Sequence, residues 1–189
     1  MGNLQYQAST KKWRFAENQY DVIGPKNENI SITYSGWIDL FGWGTSGYDS
    51  KFPYMTSTDN YDYGYGQNYI SVTNYDWGVY NAISNGGNKA GMWRTLTKEE
   101  WNYLYDARAN AENLRGQATV NGQTGYVLLP DGWNTSSGLK FTANPVNFTT
   151  NSYASSEWSK METAGAVFLP CAGYRDGTDV YDVGSYGYY

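Results

Sequence analysis

Three features of the chain could carry chemistry: its loop carboxylates, a glycine-spaced loop and a single thiol. Asp59 and Asp62 lie in one polar stretch, and Asp176, Asp179 and Asp182 in another. Carboxylates grouped this way can hold a hard cation or move protons. Neither run follows the alternating pattern of a calcium loop, so both read as solvated loop aspartates and no metal site is expected. The two carboxylates of a glycosidase can stand far apart in a sequence, but no spacing here points to such a pair. Gly42-Trp43-Gly44-Thr45-Ser46-Gly47 matches a nucleotide-loop spacing. That loop needs a helix opening at its third glycine, and Tyr48-Asp49-Ser50-Lys51-Phe52-Pro53 is no helix start. The match reads as chance in a glycine-rich chain.

Histidine is absent and Cys171 is the one cysteine. These two facts exclude Ser-His-Asp and Cys-His catalysis, histidine-containing zinc sites and an internal disulfide. Cys171 ends the apolar run Ala166-Val167-Phe168-Leu169-Pro170, where a buried, inert thiol is expected. Sequons at Asn29, Asn134 and Asn147 carry no weight in a chain so rich in Asn, Ser and Thr. The expectation is therefore a chain that is not an enzyme and holds no cofactor.

What the chain has instead is aromatic surface. It contains 20 Tyr, 8 Trp and 22 Gly in 189 residues, with charged residues at 16%. Tyr, Ser, Gly and Asn together give binding loops large contact area at low entropic cost. The same residues also fill turns, so a loop-rich fold explains the composition equally well. A net charge of −5 argues against a nucleic-acid partner. No apolar stretch of about 18 residues exists, so no direct membrane insertion is expected. No basic-then-apolar leader opens the sequence. Met1 to Tyr6 reads as the middle of a strand, so the absence of a leader says little about origin.

The elements that would position these groups can be placed by periodicity. Leu4 and Tyr6 alternate with Gln5 and Gln7, and Trp13 and Phe15 with Lys12 and Arg14, predicting a hairpin across Ala8–Lys11. Gly36 to Gly44 is a short apolar piece, either strand or buried loop. Residues 44–75 read as a long polar loop, in which Tyr61, Tyr63 and Tyr65 would share one side if extended. Asn74 to Ile83 returns to buried material, and Asn85-Gly86-Gly87-Asn88 is a turn. Thr97-Lys98-Glu99-Glu100 fits a capping box opening a helix from about Lys98 to Ala109. A second hairpin spans Ala118 to Pro130 with Asn121-Gly122 as its turn. A second short helix covers Ser156 to Glu162, capped by Ser155 and ended by Gly165, and Ala166–Leu169 is a buried strand. The sum is one α+β domain over residues 1–189, with two short helices, small antiparallel sheets and long polar loops.

Several segments resemble a large group of Bacteroidetes surface-protein domains. They are Gly2 to Gln7, Trp13 to Tyr20, Asn74 to Gly78, Trp93 to Trp101, Phe168 to Pro170, Ala172 to Arg175 and Val183 to Tyr189. These domains are similar to the Fibrobacter succinogenes major paralogous domain and to the formylglycine-generating-enzyme branch of the C-type-lectin fold. The resemblance covers nearly the whole chain and least of all residues 44–71. It implies a C-type-lectin-like fold. Relatives usually carry alanine where Cys171 stands, and they continue past the final Gly-Tyr-Tyr, so a domain cut at both ends is expected. Formylglycine generation works through two cysteines, which one cysteine cannot supply.

Some proteins of this fold are targets of diversity-generating retroelements, with a variable segment opening near Gly-Tyr-Arg-Asn-Gly. Gly173-Tyr174-Arg175-Asp176-Gly177 occupies that place. The resemblance thus implies a ligand site at Tyr174, Arg175, Asp176, Asp179, Tyr181, Asp182, Tyr186 and Tyr188. It also implies a non-catalytic, cell-surface or extracellular domain of a bacterial or phage protein that binds a protein or glycan. An ordinary surface hairpin, a structural spacer and a degenerate enzyme stand as the alternatives.

Overall fold

The chain opens as its alternation predicts. Strands β1 (Leu4–Gln7) and β2 (Lys12–Phe15) pair antiparallel, with Leu4 opposite Phe15 and Tyr6 opposite Trp13. The computed structural model describes residues 1–54, 69–134 and 138–187. Tyr6 and Trp13 are buried with ring centroids 4.6 Å apart. Ile38 bonds Tyr6 through both backbone groups, and Ile83 bridges Trp13. Together with Ala8 these residues form a first core, walled by Phe41 and Trp77. The piece from Gly36 to Gly44 is therefore a loop resting on one bridge, buried at Ile38, Asp39 and Gly44 but open at Trp43. The other face of the hairpin is covered too. Gln5 accepts a hydrogen bond from Arg14 Nε at 2.8 Å, and the Arg14 guanidinium lies 3.9 Å over the Trp37 ring.

A second core forms around strands β3 (Arg115–Val120) and β4 (Gln123–Leu128). Val120 pairs with Gln123 across Asn121 and Gly122, whose φ values of 48° and 84° make the two-residue turn that suits strand twist. Strand β5 (Ser152–Tyr153) joins β3 in parallel and β6 (Val167–Pro170) joins β4 antiparallel, giving the order β5-β3-β4-β6. Helix α3 (Ser155–Thr163) lays Trp158 and Met161 onto Val120, Val127 and Phe168. Two expectations need correcting here. Ala154, not Ser155, stands at the N-cap of α3, where its amide donates to Glu157 Oε2 at 2.9 Å. Ala166 before β6 and Phe168 within it are buried, but Val167 between them is exposed and Leu169 only half-buried, so one face of the strand is fully covered and the other is not.

Between β2 and β3 in sequence come two helices held by polar side chains. Helix α1 (Trp77–Tyr80) is only one turn long and was not expected from the pattern. Asp76 caps it by accepting from the Gly78 amide at 3.1 Å, and its other oxygen accepts from the Thr95 amide and hydroxyl at 2.8 and 2.7 Å. Helix α2 (Lys98–Asn102) starts at the expected capping box, Thr97 accepting from the Glu100 amide and Glu100 from the Thr97 amide. Arg94 clamps the Glu100 carboxylate and, with the Thr97 amide, holds its pKa down to about 2. The helix does not run on as α to Ala109. It widens over Tyr103–Ala107 into a π turn, with Arg108 bonded back to Tyr103. The buried Arg108 guanidinium then bonds the Leu129 carbonyl at 2.8 Å and Asp131 at 3.1 Å, tying this turn to the end of β4.

Gln19 links the N-terminal region to the sheet. Its carboxamide accepts from the Phe168 amide of β6 at 2.6 Å and donates to Glu162 of α3 at 3.0 Å. The result is an α+β fold with three short α-helices and small sheets among the described residues. Among the described residues no helix is long and apolar enough to cross a membrane.

Candidate functional site

The C-terminal segment folds as a third hairpin. Strands β7 (Tyr174–Asp176) and β8 (Asp179–Tyr181) pair with Tyr174 opposite Tyr181, Arg175 opposite Val180 and Asp176 opposite Asp179. Opposed residues in such a pair share a face, and successive residues alternate. Tyr174, Asp176, Asp179 and Tyr181 therefore lie on one face, and Arg175 with Val180 on the other. Val180 is half-buried, while Asp176, Asp179 and Tyr181 are exposed.

Arg175 was expected to supply a polar contact to ligand. Instead its guanidinium is turned inward, with Nε donating to the Leu40 carbonyl at 3.1 Å and Nη2 to the Asn27 carbonyl. Nη1 is buried without a hydrogen-bond partner, and burial pulls the group's pKa down to about 10. Arg175 is thus a positioning residue. It docks β7 onto a polar knot that no sequence pattern announced. Within that knot the fully buried Asn27 donates to Gly24 and Asp39 at 2.9 and 2.7 Å and accepts from the Asp39 and Leu40 amides. Asp39 also accepts from the Ile23 amide at 3.1 Å. Burial outweighs these bonds and pushes the Asp39 carboxyl above its ordinary range.

On the outer face the Tyr174 and Tyr181 rings lie 5.6 Å apart, tilted by 33°. Tyr181 is 45% exposed and its hydroxyl points to Asp179 Oδ2 at 3.4 Å. The Asp179 charge, burial and then Asp176 hold the phenol proton on, raising its pKa. Asp182, at φ 56°, starts a tight return in which the Ser185 and Tyr186 amides bond its carbonyl. Tyr186, 63% exposed, comes back beside β7, since its carbonyl accepts from the Gly173 amide at 2.8 Å. The return is pinned by Gly184, bonded to the Cys171 carbonyl and to the Thr124 hydroxyl of β4. Tyr188 lies outside the described residues, as do Asp59, Asp62, Tyr61, Tyr63 and Tyr65.

Gly173 sets the approach of the hairpin. At φ 85° a Cβ there would sit 2.3 Å from the Tyr181 carbonyl oxygen. We expect Gly173→Ala to cost about 2–3 kcal/mol locally, from left-handed strain and that clash. Native-state hydrogen exchange checks this. The Gly184 amide should exchange about thirtyfold faster or more, with the β3–β4 amides unchanged; uniform acceleration would contradict it.

The remaining sequence candidates are accounted for locally. Cys171 is buried, and burial pushes its thiol pKa up, away from reactivity. The third glycine of the 42–47 loop leads into a single 3₁₀ turn, Tyr48–Ser50, with left-handed residues inside it rather than a helix N-terminus. Among the described residues no three acidic or thiol groups converge as metal ligands would. No family model, curated protein or solved structure matches the chain.

Proposed function

We propose that this chain is a non-catalytic ligand-binding domain in the C-type-lectin-like class, displayed by a bacterial or phage surface protein, with a protein or glycan as its ligand. The observation that carries the reading is the tyrosine face of the C-terminal hairpin. Two rings meet across the strands, and Tyr186 and three aspartates of the same segment are exposed, on backbone docked by Arg175. Rigid aromatic side chains give contact area with few torsions to freeze, and their hydroxyls keep a polar tip for specificity. The sequence resemblance supports placing the site on this segment and the domain outside the cell.

Binding of the folded chain to a panel of glycans and surface proteins tests the reading. Combined replacement of Tyr174, Tyr181 and Tyr186 by alanine should weaken a selective interaction by about a hundredfold or more, with unchanged melting temperature. Unchanged affinity would remove the site from the hairpin. A folded chain that binds nothing would return the domain to a structural spacer.

A further inference from the structure

The outer face of the hairpin carries a sign as well as rings. Asp176 and Asp179 stand directly opposite each other on it, Asp182 follows one residue past the end of β8, and all three residues are exposed. Like charges placed opposite one another across a strand pair repel. The hairpin's own cation does not offset them at this face, because Arg175 alternates to the far side and donates to Leu40 and Asn27. The turn that packs against β8, Gly24–Glu28, carries one cation, Lys26, and one anion, Glu28, so it adds no net charge. The Tyr181 phenol registers the resulting field, since Asp179 and Asp176 both oppose its ionisation.

A pair of tyrosine rings rimmed by carboxylates discriminates among ligands by charge. Ring faces attract a guanidinium or ammonium, and rim carboxylates add ion pairing and steer its approach. A neutral sugar would use the rings alone, and an anion would be repelled. The same pairing occurs inside the chain, where Arg14 lies over Trp37 and Arg115 over Tyr105.

We propose that the hairpin takes a basic protein segment, an arginine or lysine side chain lying on the Tyr174–Tyr181 face while Asp176, Asp179 and Asp182 pair with the cations beside it. This rests on the hairpin being the ligand site and names its partner class.

The test titrates the full chain with a short Arg-Ser repeat peptide and with its Glu-Ser counterpart. The triple variant D176N/D179N/D182N is compared with E17Q/E99Q/E112Q, which removes the same charge at exposed positions away from the hairpin. The Arg-Ser peptide should bind and the Glu-Ser peptide should not. The hairpin variant should bind about tenfold more weakly or worse, and the control variant within about threefold of the parent. Equal losses in both variants would reduce the effect to net charge and overturn the proposal. So would absence of Arg-Ser binding while a glycan binds in a way that needs Tyr174, Tyr181 and Tyr186; that outcome would keep the site and change its partner. A ligand indifferent to all three tyrosines would instead remove the site itself.

Discussion

Replacing Trp158 by alanine should lower the unfolding free energy by about 3–5 kcal/mol, a large share of the 5–15 kcal/mol typical of a whole domain. Trp158 is the largest fully buried side chain of the second core. It packs its ring against Tyr153 at 6.0 Å and Phe168 at 5.6 Å, joining α3 to both β5 and β6. Truncation removes that transfer energy and leaves a cavity between three elements that cannot all close on it. Trp158→Phe should behave differently. The indole Nε1 is buried without a hydrogen-bond partner, so losing it relieves about 1 kcal/mol or more of desolvation cost. The smaller ring loses a similar amount in packing, and the net change should stay within about 1 kcal/mol. Urea unfolding of the two variants separates these cases. A phenylalanine variant as weak as the alanine variant would show that the indole nitrogen carries no penalty.

The second large effect is expected at Asp76. Its carboxylate is fully buried and accepts three hydrogen bonds, from the Gly78 amide and from the Thr95 amide and hydroxyl. Asparagine has nearly the same shape but only one accepting oxygen. Whichever way the carboxamide turns, its NH₂ faces an N–H donor, leaving two buried groups opposed. At about 1–3 kcal/mol for each unsatisfied group, Asp76→Asn should cost about 3 kcal/mol. It should also free helix α1 and the segment before α2 together, since one side chain fastens both. Thermal unfolding measures the loss, and amide protection at Gly78 and Thr95 should fall in step. A loss under about 1 kcal/mol would mean that the carboxylate is replaceable by water.

The parts of this fold that were legible in the sequence are those set by neighbours in the chain. The Asn121-Gly122 turn declares itself because both of its residues take positive φ cheaply, and the Thr97–Glu100 box because its two bonds span three residues. The alternation of Leu4, Tyr6, Trp13 and Phe15 predicts a hairpin for the same reason. Helix α1 escaped because four residues cannot show a 3.6-residue period and its cap gains its worth from Thr95, nineteen positions away in sequence. The π turn escaped because Tyr103 and its neighbours keep ordinary helical spacing. At the site, the choice of Tyr174, Asp176, Asp179 and Tyr181 follows from the resemblance, though their register across one strand pair was not legible in the sequence. The inward turn of Arg175 escaped as well, because it is set by carbonyls of Asn27 and Leu40 far up the chain.

The Gln19 side chain bears on what happens when copies of this chain meet at high concentration. Strand β6 is the rim of the four-stranded sheet, and an open rim of amides and carbonyls is a template on which another copy can add a strand. Gln19 occupies the Phe168 amide on that rim, and the strand ends in Pro170, which has no amide to offer. The opposite rim, β5, is two residues long, too short to seed a lengthening stack. The sheet is thus guarded against polymerisation along both margins, so that copies brought close together find little open edge on which to stack.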